Sequence, residues 1–141
     1  MKLNLDCIRA VMLAIESKHR ITIDDDNNAD IGTIWFDELY SDLKNFSKED
    51  IFYSLYNLDQ AGYVNTTLVD GDSHITFCAV NYMTYEGHEF LEKIRDSKRW
   101  KFVKAAGGAV RNFSLDAINQ IANGATSALI EAFLEQNKAS L

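Results

Sequence analysis

Residues 47–82, SKEDIFYSLYNLDQAGYVNTTLVDGDSHITFCAVNY, decide how this chain folds. Ser47 precedes Lys48, Glu49 and Asp50: a hydroxyl able to cap a helix, then acids that complement the positive end of its dipole. Ile51, Leu55 and Leu58 recur at helical spacing and supply one buried face. The helix is predicted to stop at Ala61-Gly62, because glycine enters the left-handed conformation without a Cβ clash. Tyr63 to Val69 and His74 to Tyr82 are rich in β-branched and aromatic residues, and Asp70-Gly71-Asp72-Ser73 between them is a hairpin turn signal. The centre of the fold is thus a short polar helix running through a glycine into a two-stranded hairpin.

Working outward, Asn4 caps a first helix whose apolar residues Leu5, Ile8, Met12 and Ile15 share one face. A β-like stretch, Ile21 to Ile23, follows, and the polar run Asp24 to Asp30 is expected to be an exposed loop. Ile34, Trp35 and Phe36 make a brief apolar stretch before a short helix over Asp37 to Leu43, with Leu39, Tyr40 and Leu43 inward. On the C-terminal side, Thr84 caps a helix through Ile94 that buries Phe90, Leu91 and Ile94 and sets Glu89 four residues before Lys93. Helix, strand, helix, turn, helix and hairpin in this order are what a winged helix-turn-helix requires. The expected class is therefore α+β, mostly helical, with a winged-helix-like domain over residues 1–96.

Residues 97–141 form an expected C-terminal helical extension. Ala105-Ala106-Gly107-Gly108-Ala109 is a small-residue break or a weak stretch within a helix. Ser114 then caps a final helix with Leu115, Ile118, Ala122, Ala125, Leu129 and Phe133 on one stripe. That stripe packs on the domain through helix 1, or pairs two copies of the chain, which Ala122, Ala125 and Ala128 would allow at close approach.

The chain has 141 residues, 47% of them hydrophobic, enough for one core, and one domain with an appendage is expected. Its 14 Lys plus Arg against 21 Asp plus Glu leave a charge of −7, a field that repels phosphate backbones and favours protein or small-molecule partners. Cys7 and Cys78 have no CxxC spacing and fit reduced core positions. No leader pattern and no apolar run of about 18 residues occurs, so the expected setting is soluble and cytoplasmic, with no membrane partner.

Three segments carry a further resemblance. Asn4-Leu5-Asp6-Cys7-Ile8-Arg9, Ala61-Gly62-Tyr63, and Thr84-Tyr85-Glu86-Gly87-His88-Glu89-Phe90-Leu91 with Ile94-Arg95-Asp96 and Trp100 resemble a family of small bacterial and phage proteins of unassigned function. The resemblance covers roughly residues 1–104. It implies a winged-helix-like fold and a phage or prophage setting, hence the host cytoplasm, and it transfers no catalytic residues.

Chemistry-bearing motifs are incomplete. Asp24, Asp26, Asn28 and Asp30 follow the alternating oxygen pattern of a calcium loop, but Ala29 replaces its glycine and Trp35 its final glutamate. His88-Glu89-x-x-Glu92 lacks the second histidine of a zinc helix, and no nucleophile elbow or phosphate loop occurs. The chain is therefore expected to be non-enzymatic, with no cofactor and no resident metal. On the third helix, Tyr53, Tyr56, Asn57 and Gln60 are candidate macromolecule contacts, yet the segment carries Glu49, Asp50 and Asp59 against Lys48. A basic cluster, Arg95, Lys98, Arg99, Lys101 and Lys104, interleaved with Trp100 and Phe102, is the second candidate surface. The expected function is stoichiometric binding of a host or phage protein, for instance inhibition of a host defence complex. The alternative is a dimeric DNA-binding transcriptional regulator whose C-terminal helix pairs the protomers.

Overall fold

The computed structural model describes residues 1–111 and 113–124. It is an α+β chain with the order α1 Leu5–Lys18, β1 Ile21–Ile23, β2 Ala29–Ile31, β3 Ile34–Trp35, α2 Phe36–Asp42, α3 Lys48–Gln60, β4 Val64–Gly71, β5 His74–Met83, α4 Tyr85–Ile94 and α5 Ser97–Val110. Residues 115–124 form a further helix, α6. The chain falls into two units, the first Met1–Leu91 and the second beginning at Glu92.

Capping chemistry sets the helix starts in the first unit. Asn4 accepts from the Cys7 N–H at 3.1 Å, and Ser47 Oγ accepts from the Asp50 N–H at 3.0 Å. Ser47→Ala should therefore lower stability by about 1 kcal/mol, read as a drop in urea midpoint with unchanged slope. At the other end of α3, Gly62 has φ +80°, the left-handed value expected of a residue just past the cap.

Helix α1 packs against α3, α2 and β5. Ile8, Met12 and Ile15 of α1 are fully buried with Leu39 of α2 and Ile51, Leu55 and Leu58 of α3. Burying one such side chain is worth roughly 1.5–3 kcal/mol, so this helix layer contributes substantially to the stability of the unit. Three antiparallel strands in the order β3-β5-β4 complete it. In register, Trp35 faces Ala79 and Leu68 faces Cys78.

The segment Asp24 to Asp30 departs from the expected loop. Ala29–Ile31 is a strand that pairs with Ile21–Ile23, with Ile21 opposite Ile31. The polar run holds the turn of this hairpin: Asn27 takes φ +64°, and Asp24 Oδ1 accepts from the Asp26 and Asn28 N–H groups, each at 2.9 Å. The main hairpin is also longer than the turn signal suggests. Gly71 pairs with His74, so the turn narrows to Asp72 and Ser73, the latter at φ +63°.

In the second unit, the Ala105 to Ala109 stretch is a helix interior and not a break. Gly107 is buried, and a Cβ there would lie 3.1 Å from Ile118 Cδ1, so the glycine permits α5 and α6 to approach closely. Ser114 Oγ caps α6 through the Ala117 N–H at 3.1 Å. Leu115, Ile118 and Ala122 of the predicted stripe are buried; Ala125, Ala128, Leu129 and Phe133 lie outside the described residues. Lys93 donates to Asn119 Oδ1 at 3.1 Å, which gives its ammonium a partner beyond the helical spacing to Glu89. Among the described residues, no helix is long and apolar enough to cross a membrane.

Candidate functional site

The family-like segments around Gly62 and Gly87 meet in one place, and what they build is structural. Thr84 Oγ1 donates to the Gly62 carbonyl at 2.5 Å and accepts from the Gly87 N–H at 3.0 Å, while the Thr84 N–H donates to the Tyr63 carbonyl at 3.1 Å. The Phe90 ring stacks on Tyr63 with centroids 4.7 Å apart and planes 13° apart. These residues lock the start of α4 onto the α3–β4 junction, and they leave little free to bind a ligand.

The outward side of α3 is different. With Ile51, Leu55 and Leu58 committed to the core, the helix turns Phe52, Tyr53 and Tyr56 away from it, and Tyr56 is 39% exposed. Gln60 is exposed on the last turn, whereas the Asn57 amide donates to the Tyr53 carbonyl at 2.8 Å and is engaged within its own helix. Two of the three acids of α3 have structural duties. Asp59 Oδ1 accepts from the Thr66 N–H at 3.2 Å and ties β4 to the helix, and Asp50 accepts from the Asn4 amide at 3.5 Å. Glu49 is left as the exposed acid on this helix.

Two hollows flank the outward side, both walled by Phe36 and Phe52, whose rings meet edge to face at 6.0 Å and 71°. One, of about 410 Å³, adds Met1, Lys48, Glu49 and Tyr53. The other, of about 340 Å³, lies between the Trp35-Phe36-Asp37 corner and residues Ile75, Thr76 and Cys78 of β5. Burial raises the Cys78 thiol pKa to about 11, with the Asp59 carboxylate adding to the effect, so the wall carries a neutral S–H. Sequence reasoning found Tyr53 and Tyr56 but missed Trp35, Phe36, Phe52 and Cys78. A helical projection of α3 would have found Phe52, because it lies beside Tyr53 and Tyr56 and off the core stripe. Nothing local could have placed β5 opposite Trp35.

The basic cluster is less uniform than its composition implies. Trp100 is 4% exposed, so its ring is packed inward and is not available for stacking; Lys104 lies over it at 5.7 Å from the centroid. Arg95 pairs with Glu92 at 3.2 Å, and Arg99 is half-buried. Lys98, Lys101 and the 58% exposed Phe102 remain on one outward stripe of α5. Elsewhere Ile21, Ile23 and Ile31 present an exposed apolar face on the β1–β2 hairpin.

Among the described residues, no group of three or more His, Cys, Asp or Glu side chains is gathered to hold a metal ion. In the Asp24 loop, hydrogen bonds from Asn28 and Asp26 occupy the Asp24 carboxylate and lower its pKa. His88 and Glu89 are exposed on α4.

Charge divides sharply along the sequence. Residues 1–91 hold 16 acids against 6 bases, a net of −10, and residues 92–141 hold 5 acids against 8 bases, a net of +3. The aromatic hollows therefore belong to the acidic unit and the Lys98–Lys101 stripe to the basic one.

Comparison with known proteins agrees with the resemblance noted in the sequence. A family model described as "Hypothetical protein (DUF2513)" matches residues 2–109. The chain is also similar to a Haemophilus influenzae (strain ATCC 51907 / DSM 11121 / KW20 / Rd) protein described as "Uncharacterized protein". The two are 28% identical over 131 residues, which is 92% of this chain and 99% of the relative. No solved structure matches the chain. With the matched residues spanning most of its length, the chain belongs to the DUF2513 family.

Proposed function

We propose that this chain is a winged helix-turn-helix protein that acts without catalysis, by stoichiometric binding of a host or phage protein through the outward face of α3. Support for the winged-helix part comes from the succession α2, α3, β4–β5 hairpin, with β3 closing the sheet in the order β3-β5-β4. In that arrangement α3 takes the recognition position and Asp70 and Asp72 lie at the tip of the wing.

The observation that carries the protein-binding reading is the groove of about 410 Å³ walled by Phe52 and Tyr53 of this helix and Phe36 of α2. Aromatic side chains in such hollows are the usual anchors of protein interfaces. A helix that inserts into a DNA groove needs cations for the phosphates, and α3 carries Lys48 alone, already 4.9 Å over the Tyr40 ring. A phage or mobile-element setting is what the resemblance implies, and inhibition of a host defence complex is the role we propose within it, in keeping with the net charge of −10 over residues 1–91.

The test is affinity capture from host lysate with the tagged full chain beside Tyr53→Glu, whose fold is checked by circular dichroism. One protein should be enriched in stoichiometric amount and its recovery should fall by about tenfold or more in the variant. Recovery of genomic DNA fragments in place of a protein would overturn the reading. A dimeric DNA-binding regulator is the competing reading, favoured by the exposed Lys98, Lys101 and Phe102 stripe. It requires a dimer in solution and duplex binding that weakens steeply between about 50 and 200 mM salt.

A further inference from the structure

The hollow of about 340 Å³ beside β5 has a simple topological origin. Strand β3 is two residues long and pairs with Ala79 and Val80, after which the chain turns at Phe36 into α2. Strand β5 continues on to His74, paired along this length with β4 on its other side. Along residues 75–78, the β3 side of β5 therefore has no strand neighbour among the described residues. A continued β3 would run where the hollow now lies, between Ile75 and Cys78 on one wall and Phe36 and Phe52 on the other.

An open strand edge is a template for another extended chain, because its backbone donors and acceptors are already aligned. The side of the hollow away from that edge is suited to a cation. Trp35, 47% exposed, and the Phe36–Phe52 pair offer ring faces and edges, and Asp37 supplies a carboxylate at the rim. Asp72, at the turn where β5 begins, adds negative charge near the far end of this edge, and Asp70 adds more across β5, on the paired strand β4. The unit that holds the hollow has a net charge of −10.

We infer that the edge of β5 at residues 75–78 accepts an extended, basic segment of a partner protein as an added strand, with one cationic side chain of that segment seated between the aromatic walls and Asp37. The inference rests on the protein-binding reading above and names the chemistry of the partner. A DNA duplex offers no backbone that could pair with the edge. The chain's own basic stretch is helical over Ser97–Val110, so a second copy presents its cations in the wrong conformation for strand addition.

The probe is an acetylated, amidated heptapeptide of alternating valine and arginine, titrated into the ¹⁵N-labelled full chain. Three controls accompany it: the same peptide N-methylated at alternate residues, a valine–glutamate version, and a short DNA duplex. Binding should shift the amides of Ile75 to Cys78 and the Trp35 indole and slow hydrogen exchange along that edge. N-methylation should abolish binding, since it removes the donors and crowds the edge. The glutamate peptide should bind at least about tenfold more weakly, and Asp37→Lys should weaken the arginine peptide by a similar factor.

Equal binding of the N-methylated peptide overturns strand addition, and equal binding of the glutamate peptide overturns the basic character of the partner. Shifts at the same edge produced by the duplex, or by raising the concentration of the chain alone, overturn the assignment to a partner protein. If no peptide binds while a captured host protein still depends on Tyr53, this inference fails and the protein-binding reading survives.

Discussion

Gly87→Ala should move the urea unfolding midpoint far below that of the unmodified chain, with a stability loss of about 3 kcal/mol. In most helices the exchange would help, because alanine is favoured over glycine by up to about 1 kcal/mol at an interior position. Here a Cβ would fall inside van der Waals contact of the Tyr63 carbonyl oxygen and 2.8 Å from Met83 Cγ. The side chain of Met83 can rotate away, but the Tyr63 carbonyl cannot retreat, since it accepts the Thr84 N–H at 3.1 Å. Relief would require α4 to lift from the α3–β4 junction and so to unstack Phe90 from Tyr63. Gly108→Ala is the control. That glycine is exposed within α5, and an added methyl meets Phe113 Cζ only at 3.6 Å, so the substitution should be neutral or stabilising. A loss at Gly108 as large as at Gly87 would show that the effect is not the contact with Tyr63.

Alkylation of Cys78 by iodoacetamide at pH 8 should be about tenfold slower in the folded chain than in the urea-unfolded chain, even before steric protection is counted. The folded thiol has a pKa of about 11, raised by burial and then by Asp59. Its thiolate fraction is then about 100-fold below that of an ordinary cysteine, and the greater nucleophilicity of a more basic thiolate returns roughly tenfold. The folded rate should keep climbing toward pH 11 while the unfolded rate levels off near pH 9.5 or so. Peptide mapping separates Cys78 from Cys7, whose thiol is also raised by burial and is fully enclosed.

The stability linkage has a definite sign. Both thiols have folded values above the unfolded one, so their contribution is fully present below about pH 8.5 and is lost as pH rises through the folded values. The fold should therefore weaken in alkali through these two groups. An alkylation profile of Cys78 that levels off near pH 9 in the folded chain would show that the thiol is not held in the wall of the hollow.

The charge on α3 acquires a different meaning once its partners are known. Counted along the sequence, three acids against Lys48 make the helix repel DNA. In the structure Asp59 anchors β4 through Thr66 and Asp50 meets Asn4, so two of those charges serve the fold, and the outward face combines the half-buried Phe52 and Tyr53 with the exposed Lys48, Glu49, Tyr56 and Gln60. Unfavourable charge is thus a property of the whole acidic unit more than of the helix face. The proposed protein-binding role therefore rests on Phe52, Tyr53 and Tyr56 more than on the acidity of this helix.

What the sequence by itself determined are the elements whose causes lie within a few residues of one another. Ser47 and Asn4 announced helix starts because a cap needs only the next three residues, and Gly62 announced a helix end because its requirement is a single dihedral angle. The stripes Leu5, Ile8, Met12, Ile15 and Ile51, Leu55, Leu58 announced buried faces through their period. What only the tertiary structure decided is what each face meets. Gly87 leaves no room for a Cβ because of Tyr63, a residue 24 positions earlier. Trp100 is packed inward, though an equally basic neighbourhood surrounds the exposed Phe102. Ala29–Ile31 pairs as a strand because Ile21–Ile23 lies across from it, although its own composition is that of a loop. The hollow beside β5 exists because β3 stops after two residues while β5 runs on. Periodicity and capping are local and leave a signature in the sequence; the length mismatch of two strands 40 residues apart is a property of their pairing, and no single stretch records it.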